Sequence, residues 1–286
     1  MHTNRLALIT FALAPLLVFL RLAPIQASAS VILHGKPLQG GLIFGQAAPG
    51  SRAFLDGKEV IVSAQGNFVI GFDRDETGQR ILQISQVDGG EETISLDIAI
   101  RQYEIERIDG LPPASVTPDP AAAQRIRDEA AMVSSARSRR DDRTDYTAGF
   151  TWPASGRISG IYGSQRILNG EAKRPHYGVD IATAEGGPVI APADGIITLA
   201  HPGMYFSGGT LILDHGQGLS SSFLHLSKIL VEAGAVVRKG DLIARVGATG
   251  RASGPHLDWR MNWLDRRVDP QLLLEDAPQP GSDRGK

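Results

Sequence analysis

The sequence predicts a mainly β protein in two parts, an immunoglobulin-like β-sandwich and a C-terminal antiparallel β-domain, joined by a short helical linker. Three observations carry this. Glycine supplies 33 of 286 residues, about 12 % where about 7 % is usual, the composition of a chain with many turns. Short apolar stretches alternate with polar residues and are separated by turn dipeptides, the period-two pattern of half-buried strands. A single segment, rich in Ala, Arg, Asp and Glu, has the composition of a helix.

Residues 1–29 read as a signal peptide. Arg5 precedes the apolar run "LALITFALAPLLVFL" (6–20), Pro15 interrupts it, and Ala27-Ser28-Ala29 has the small-x-small spacing of a cleavage site. The run is short for a span, so no stable membrane insertion is expected after cleavage; an uncleaved anchor is the alternative. The chain has no cysteine, which excludes a disulfide framework and a lipid-bearing cysteine.

Residues 30–109 read as the β-sandwich. Asp56-Gly57, Gln65-Gly66-Asn67 and Asp88-Gly89-Gly90 punctuate alternating stretches such as Val60, Val62 and Phe68, Ile70, as in successive hairpins. The stretch "AAPGSRAFLDGKEVIVSAQGNF" resembles bacterial immunoglobulin-like modules, and the region gathers no catalytic groups, so a spacer or binding role is expected. Residues 110–149 form the linker: "GLPPASVTPDP" is proline-rich, Asp119 before Pro120 suits a helix start, and "AAAQRIRDEAAMVSSARSRRDDRTDY" suits an exposed helix. The mixed signs of "RSRRDDR" (137–143) favour a solvated face over a binding patch. Residues 150–274 return to Gly-punctuated strands, and 275–286 read as a disordered tail. With 29 basic and 31 acidic residues, net charge −2, nothing recruits nucleic acid.

Five of the seven histidines, His176, His201, His215, His225 and His256, fall in the C-terminal part. His201 and His215 sit at turn junctions and read as structural. In "RPHYGVDIA", His176 and Asp180 are four apart. Tyr-Gly-Val is poor helix material and a straight strand would part them by about 13 Å, so convergence requires a bend, which Gly178 permits. In "SGPHLDWRM", alternation sends His256 and Asp258 to one face and Leu257 and Trp259 to the other. A hydrolytic zinc site needs three protein ligands and an open position, which His176, Asp180 and Asp258 could supply. His225, in "SSFLHLS", and His256 would then flank the metal and move a proton or steady an oxyanion.

The landmarks "GRISGIYGSQR", "HYGVDIATAEGGPVIAPADGIITLA" and "GGTLILDHGQGLSSSFLHLSKILVEAGAVVRKGDLIARVGATGRASGPHLDWRM" follow in the order that marks lysostaphin/LytM-type zinc metallopeptidases, which residues 156–274 resemble. The resemblance implies an antiparallel β-fold with a narrow groove and one Zn2+ per chain. It implies His176 and Asp180 as ligands, His225 and His256 as catalytic histidines, and hydrolysis of peptide cross-links in peptidoglycan by metal-activated water. Tyr162, Arg166 and Asn169, in the loop before His176, are expected to wall the groove and contact substrate. A periplasmic location fits.

The family pattern ends in His-x-His, and here the second histidine is Asp258. Asp can ligate zinc, but two carboxylates cancel the metal's charge, so the bound water should be less acidified and another divalent metal better tolerated. The alternative is that Asp258 pairs with Arg260 or another cation and binds no metal. In that case the chain resembles the degenerate members that bind the wall and activate a separate cell-wall amidase, and the expected partner is that amidase or a divisome protein. A purely structural wall-binding protein would need neither metal nor His225.

Overall fold

The structure, a computed structural model, describes residues 30–110 and 120–274. The expected signal peptide (1–29), the Asp119 helix start and the expected tail (275–286) lie outside the described residues. None of the helices among the described residues is long and apolar enough to cross a membrane.

The fold is mainly β, as the turn chemistry predicts. Residues 30–100 build two antiparallel sheets. One joins Ile32–Gly35, Leu42–Gln46 and Asn67–Gly71; the other joins Lys58–Val60, Arg52–Leu55, Gln79–Ser85 and Glu91–Asp97. Asp56 and Gly57 close the tightest hairpin with both φ values positive, 50° and 75°, the left-handed pair that a two-residue turn demands. Phe68, Ile70, Phe72, Leu82 and Ile84 fill the space between the sheets.

The C-terminal part is built on an eight-stranded sheet. Its order is Val236–Val237, Gly195–Met204, Gly208–Asp214, Leu219–Leu226, His256–Trp263, Val179–Ala182 and Arg157–Gly160, with Arg266–Val268 paired to His256–Trp263. A small sheet of Pro188–Ile190, Leu242–Arg245 and Lys228–Ile229 packs beside it. One pairing departs from the antiparallel expectation: Ile105–Ile108 runs parallel to Gln165–Leu168. A parallel partner must arrive from elsewhere in the chain, and here it is the exit of the sandwich that supplies it.

The two parts share one continuous core. Their seam is also polar: Gln217 Nε2 donates to Asn67 O at 2.9 Å, Arg74 Nε to Gly163 O at 2.8 Å, and Arg101 pairs with the buried Asp269 at 2.9 Å. The helix Ala123–Ala136 lies on the large sheet, with Arg125 Nη2 donating to Gly203 O at 2.7 Å and Tyr205 N donating to Glu129 at 2.8 Å. It is largely exposed, as its composition predicts. The "RSRRDDR" run is less solvated than its sequence indicates, because Arg143 turns inward and pairs with Asp141, Asp145 and the buried Asp214.

Candidate active site

Three neighbouring strands deliver the groups. Val179–Ala182 pairs with His256–Trp263 so that Asp180 stands opposite Asp258 and Ala182 opposite His256; on the other side Leu224 stands opposite Asp258. Alternation then sorts the side chains. Leu257, Trp259 and Met261 are fully buried in the core, while His256, Asp258 and Arg260 share the opposite face.

On that face His176, Asp180 and Asp258 each offer a ligand atom within 4.8 Å of the other two, and all three residues are buried. His176 Nε2 lies 3.1 Å from Asp180 Oδ1. Neither ring nitrogen of His176 forms a hydrogen bond, nor does Asp180 Oδ1. Leaving such groups unsatisfied costs about 1–3 kcal/mol each, and a cation among them removes that cost. One imidazole and two carboxylates form a donor set that suits zinc or another divalent ion, so these residues fit a metal.

The chain bends at Gly178, as expected, and brings His176 and Asp180 together, but glycine is also needed there for a second reason. Its φ is not left-handed, but a Cβ there would stand 2.5 Å from Asp258 Oδ1 and 2.7 Å from Trp259 O. Glycine is the residue that lets the His256–Trp263 strand come this close.

His225 and His256 face each other with ring centroids 4.8 Å apart. Each Nδ1 lies 2.8 Å from a backbone carbonyl, Thr249 O and Gly254 O respectively. A carbonyl only accepts, so each Nδ1 carries the proton and each Nε2 keeps its lone pair. Burial pushes the His225 imidazole below its ordinary range, against the opposing pull of Asp258, so at neutral pH it is a proton acceptor. His225 also sits at φ 64°, a left-handed conformation that costs a non-glycine residue about 1 kcal/mol or more. Neither anchoring carbonyl was legible in the sequence, since backbone oxygens carry no residue-type signal.

Asp258 has a second relationship. Arg260 Nε donates to both its oxygens at 2.9 and 3.1 Å, and Arg260 Nη2 to Oδ2 at 2.5 Å. Burial raises the Asp258 carboxyl, but Arg260, His176 and His225 outweigh it and hold the group well below the usual carboxylate range. It is an anion at every relevant pH. The salt bridge anticipated as an alternative to metal ligation is therefore present, alongside the ligand triad.

Of the three residues expected to wall the groove, one is brought to the site. Arg166 Nη2 lies 3.3 Å from Asp180 Oδ2. Tyr162 does not line the groove: it is 2 % exposed, its hydroxyl donates to Arg267 O at 2.7 Å, and its ring packs edge-on to Tyr103. Its apolar ring belongs to the seam with the sandwich. Asn169 is exposed at φ 49° and, with Gly170, forms the two-residue turn of a hairpin. His215 is wholly buried, and His201 Nδ1 accepts from Gly203 N at 3.2 Å.

The sequence profile of peptidase family M23 matches residues 174–270. An uncharacterized metalloprotease of Haemophilus influenzae is 44 % identical over 100 residues, 34 % of this chain and 20 % of that protein. The peptidoglycan DD-endopeptidase ShyB of Vibrio cholerae is 42 % identical over 106 residues, 36 % of this chain and 24 % of that protein. The match spans about a fifth to a quarter of the length of these two relatives. A Pseudomonas aeruginosa structure assigned to peptidase M23 aligns with 83 % of this chain and 95 % of its own, at 32 % identity and a TM-score of 0.64. That likeness reaches beyond the C-terminal part into the sandwich.

Proposed function

Because this chain belongs to peptidase family M23, we propose that it is a metal-dependent endopeptidase acting on peptide cross-links of bacterial peptidoglycan in the periplasm. The observation that carries this reading is the unpartnered, buried pair His176 Nε2 and Asp180 Oδ1, 3.1 Å apart, with Asp258 completing the triad.

His176, Asp180 and Asp258 would hold the metal, zinc by preference. When bound, such an ion acidifies water and polarises a peptide carbonyl. The two bare Nε2 atoms are the chain's own contribution to the chemistry. Neutral His225 accepts at Nε2 the proton of the attacking water and, once protonated, gives it to the departing amine, while His256, whose Nε2 is equally bare, is a second acceptor that steadies the oxyanion only after it has itself taken up a proton. The carbonyls of Thr249 and Gly254 fix both tautomers in advance, so neither ring reorganises.

Arg260 changes the expected effect of the aspartate. A neutral histidine is replaced by an Asp258–Arg260 pair that is itself neutral. With a divalent ion, Asp180, Asp258 and Arg260 sum to +1, the same as two imidazoles and one carboxylate. On this reading the acidity of the bound water is retained despite the substitution.

The occupation of both Asp258 oxygens by Arg260 favours a second reading, a metal-free module that binds the wall and activates a separate amidase. Elemental analysis after zinc reconstitution and dialysis separates the two. The peptidase reading expects about one equivalent of zinc in the wild type, little in Asp258→Ala, and release of cross-linked fragments that His225→Ala does not produce. No retained metal, together with equal behaviour of wild type and His225→Ala on cross-linked peptidoglycan, would leave the amidase-activator reading standing.

A further inference from the structure

Beyond the triad, the same sheet face continues into a cleft of about 600 Å³ roofed by the helix Ala123–Ala136. Its walls carry an excess of positive charge. Arg137, Arg140, Arg174, Arg260 and Arg267 line it, against Glu129 and Asp265. Glu129 is already engaged by Arg125 at 2.7 Å and by Tyr205 N, and Asp265 is exposed.

Arg260 is matched by Asp258 and Arg140 donates to the carbonyls of Arg137 and Arg139, but the other three arginines are poorly satisfied. Among the described residues Arg174 has no hydrogen-bond or ion-pair partner. Arg267 lies over the Tyr177 ring at 5.4 Å and, among the described residues, forms no close ion pair, with Asp73 acting on it only at longer range. Arg137 donates once, to Ser222 Oγ at 2.8 Å, and its buried Nε has no partner. Burial and the charges of Arg267 and Arg260 push Arg137 down to about 9. A fold gains nothing from gathering like charges in a partly dry cleft unless an anion joins them.

The position is informative. Arg260 follows Asp258 on the same strand face, one two-residue step or about 7 Å further along. The floor also carries Met204, Ile212 and Leu224, so the cleft offers aliphatic contact beside the guanidinium groups.

We propose that Arg137, Arg174 and Arg267, beside the Asp258-bound Arg260 at the inner end, form a carboxylate-binding subsite that receives an acidic group of the substrate peptide one to two residues from the bond cleaved at the triad. The inference rests on the peptidase reading for its substrate, and it deepens that reading by requiring an acidic, partly aliphatic peptide. Guanidinium forks match a planar carboxylate with two parallel hydrogen bonds. The aliphatic floor favours a peptide over a bare oxyanion.

The test uses the metal-free full-length chain, so that binding is read without catalysis. Acetyl-Ala-Ala-Glu is titrated against acetyl-Ala-Ala-Gln, with inorganic phosphate at equal ionic strength as the third probe. The acidic peptide is expected to bind about tenfold more tightly than its amide twin, with the preference shrinking in high salt. Arg174→Gln, at an exposed and unpartnered residue, should remove most of that preference without lowering the thermal midpoint. Arg137→Gln should remove it too and raise the midpoint by relieving repulsion. Equal binding of the two peptides overturns the subsite, as does phosphate binding as tightly as the acidic peptide. Unchanged preference in Arg174→Gln and Arg137→Gln with a lowered midpoint in the latter also overturns it, since Arg137 then only ties the helix to Ser222. Preserved peptide preference in a chain that cleaves nothing would sink the peptidase reading and leave the subsite in place.

Discussion

His215, in the turn that leads into the strand Leu219–Leu226, and His225, near the far end of that strand, use the same side chain in opposite ways. Each anchors Nδ1 on a backbone carbonyl, Asp194 O at 2.7 Å and Thr249 O at 2.8 Å. At the closed end His215 Nε2 meets Ser221 Oγ at 2.8 Å, so every polar atom of the ring is satisfied inside the protein. At the groove end, among the described residues, His225 Nε2 has no hydrogen-bond partner, and it faces His256 across the groove. A buried histidine is therefore structural when both nitrogens are closed, and available for chemistry when one is left open at a cost in strain. His225 carries that strain in its positive φ.

Truncating both histidines separates the two roles most strongly. His225→Ala should lower kcat/KM on cross-linked peptidoglycan about a thousandfold, as expected for loss of a general base, while the thermal midpoint changes little. His215→Ala should do the reverse, losing stability with activity per folded molecule intact. If both variants lose activity alike while remaining folded, the closed-versus-open distinction fails.

The Asp258–Arg260 pair tests the groove end from the other side. Asp258→Leu alone leaves a guanidinium without its partner in a largely buried place and should cost about 3 kcal/mol, whereas Asp258→Leu with Arg260→Leu should be near neutral. Both should lose metal. Denaturant midpoints read the first effect and elemental analysis the second. A double variant as unstable as the single one would mean that the pair contributes more than charge balance.

A smaller effect belongs to the closed end alone. Burial pushes His215 down to about 4 from 6.5. Between those values the unfolded chain binds a proton that the folded chain refuses, so stability is lost as pH falls from about 6.5 to 4, by about 3 kcal/mol. Asp214 works the other way: burial raises it to about 6, and its contribution is lost as pH rises through that value. The wild-type profile therefore hides both. Comparing wild type with His215→Asn at pH 7 and pH 4.5 isolates the histidine, and the gap between them should narrow by about 2–3 kcal/mol at the lower pH. An unchanged gap would show that the ring is not held neutral.

The smallest expected effect is at Tyr162, whose hydroxyl donates to Arg267 O. Tyr162→Phe should cost about 1 kcal/mol of stability and leave KM unchanged, since the residue belongs to the seam and not to the groove wall. A raised KM at constant stability would return Tyr162 to the substrate path.

How far the chain could be read in advance differed from residue to residue. The hairpin at Asp56-Gly57 and the alternation of His256–Trp263 were legible because turn conformation and strand facing are local properties. For the same reason His256 and Asp258 could be assigned to one face and Trp259 to the core. Tyr162 departs from its expected place because sequence distance puts a loop residue near the motif, whereas its hydroxyl meets an oxygen 105 residues away. The bend at Gly178 is legible in the sequence, but the close approach that also requires glycine there is not, because it comes from another strand.

Strand pattern, the order of the site groups and their chemical types, including the aspartate where the family pattern has histidine, are therefore readable along the chain. Which of those groups meet is set by the packing of distant strands. That packing placed Asp180 opposite Asp258, closed His215 while leaving His225 open, matched Asp258 with Arg260, and laid the helix Ala123–Ala136 over a cleft of arginines. Local preferences act over a few residues along the chain. Charge balance, tautomer and cavity are set by what arrives from elsewhere at a few ångströms, where electrostatic and hydrogen-bond energies are largest.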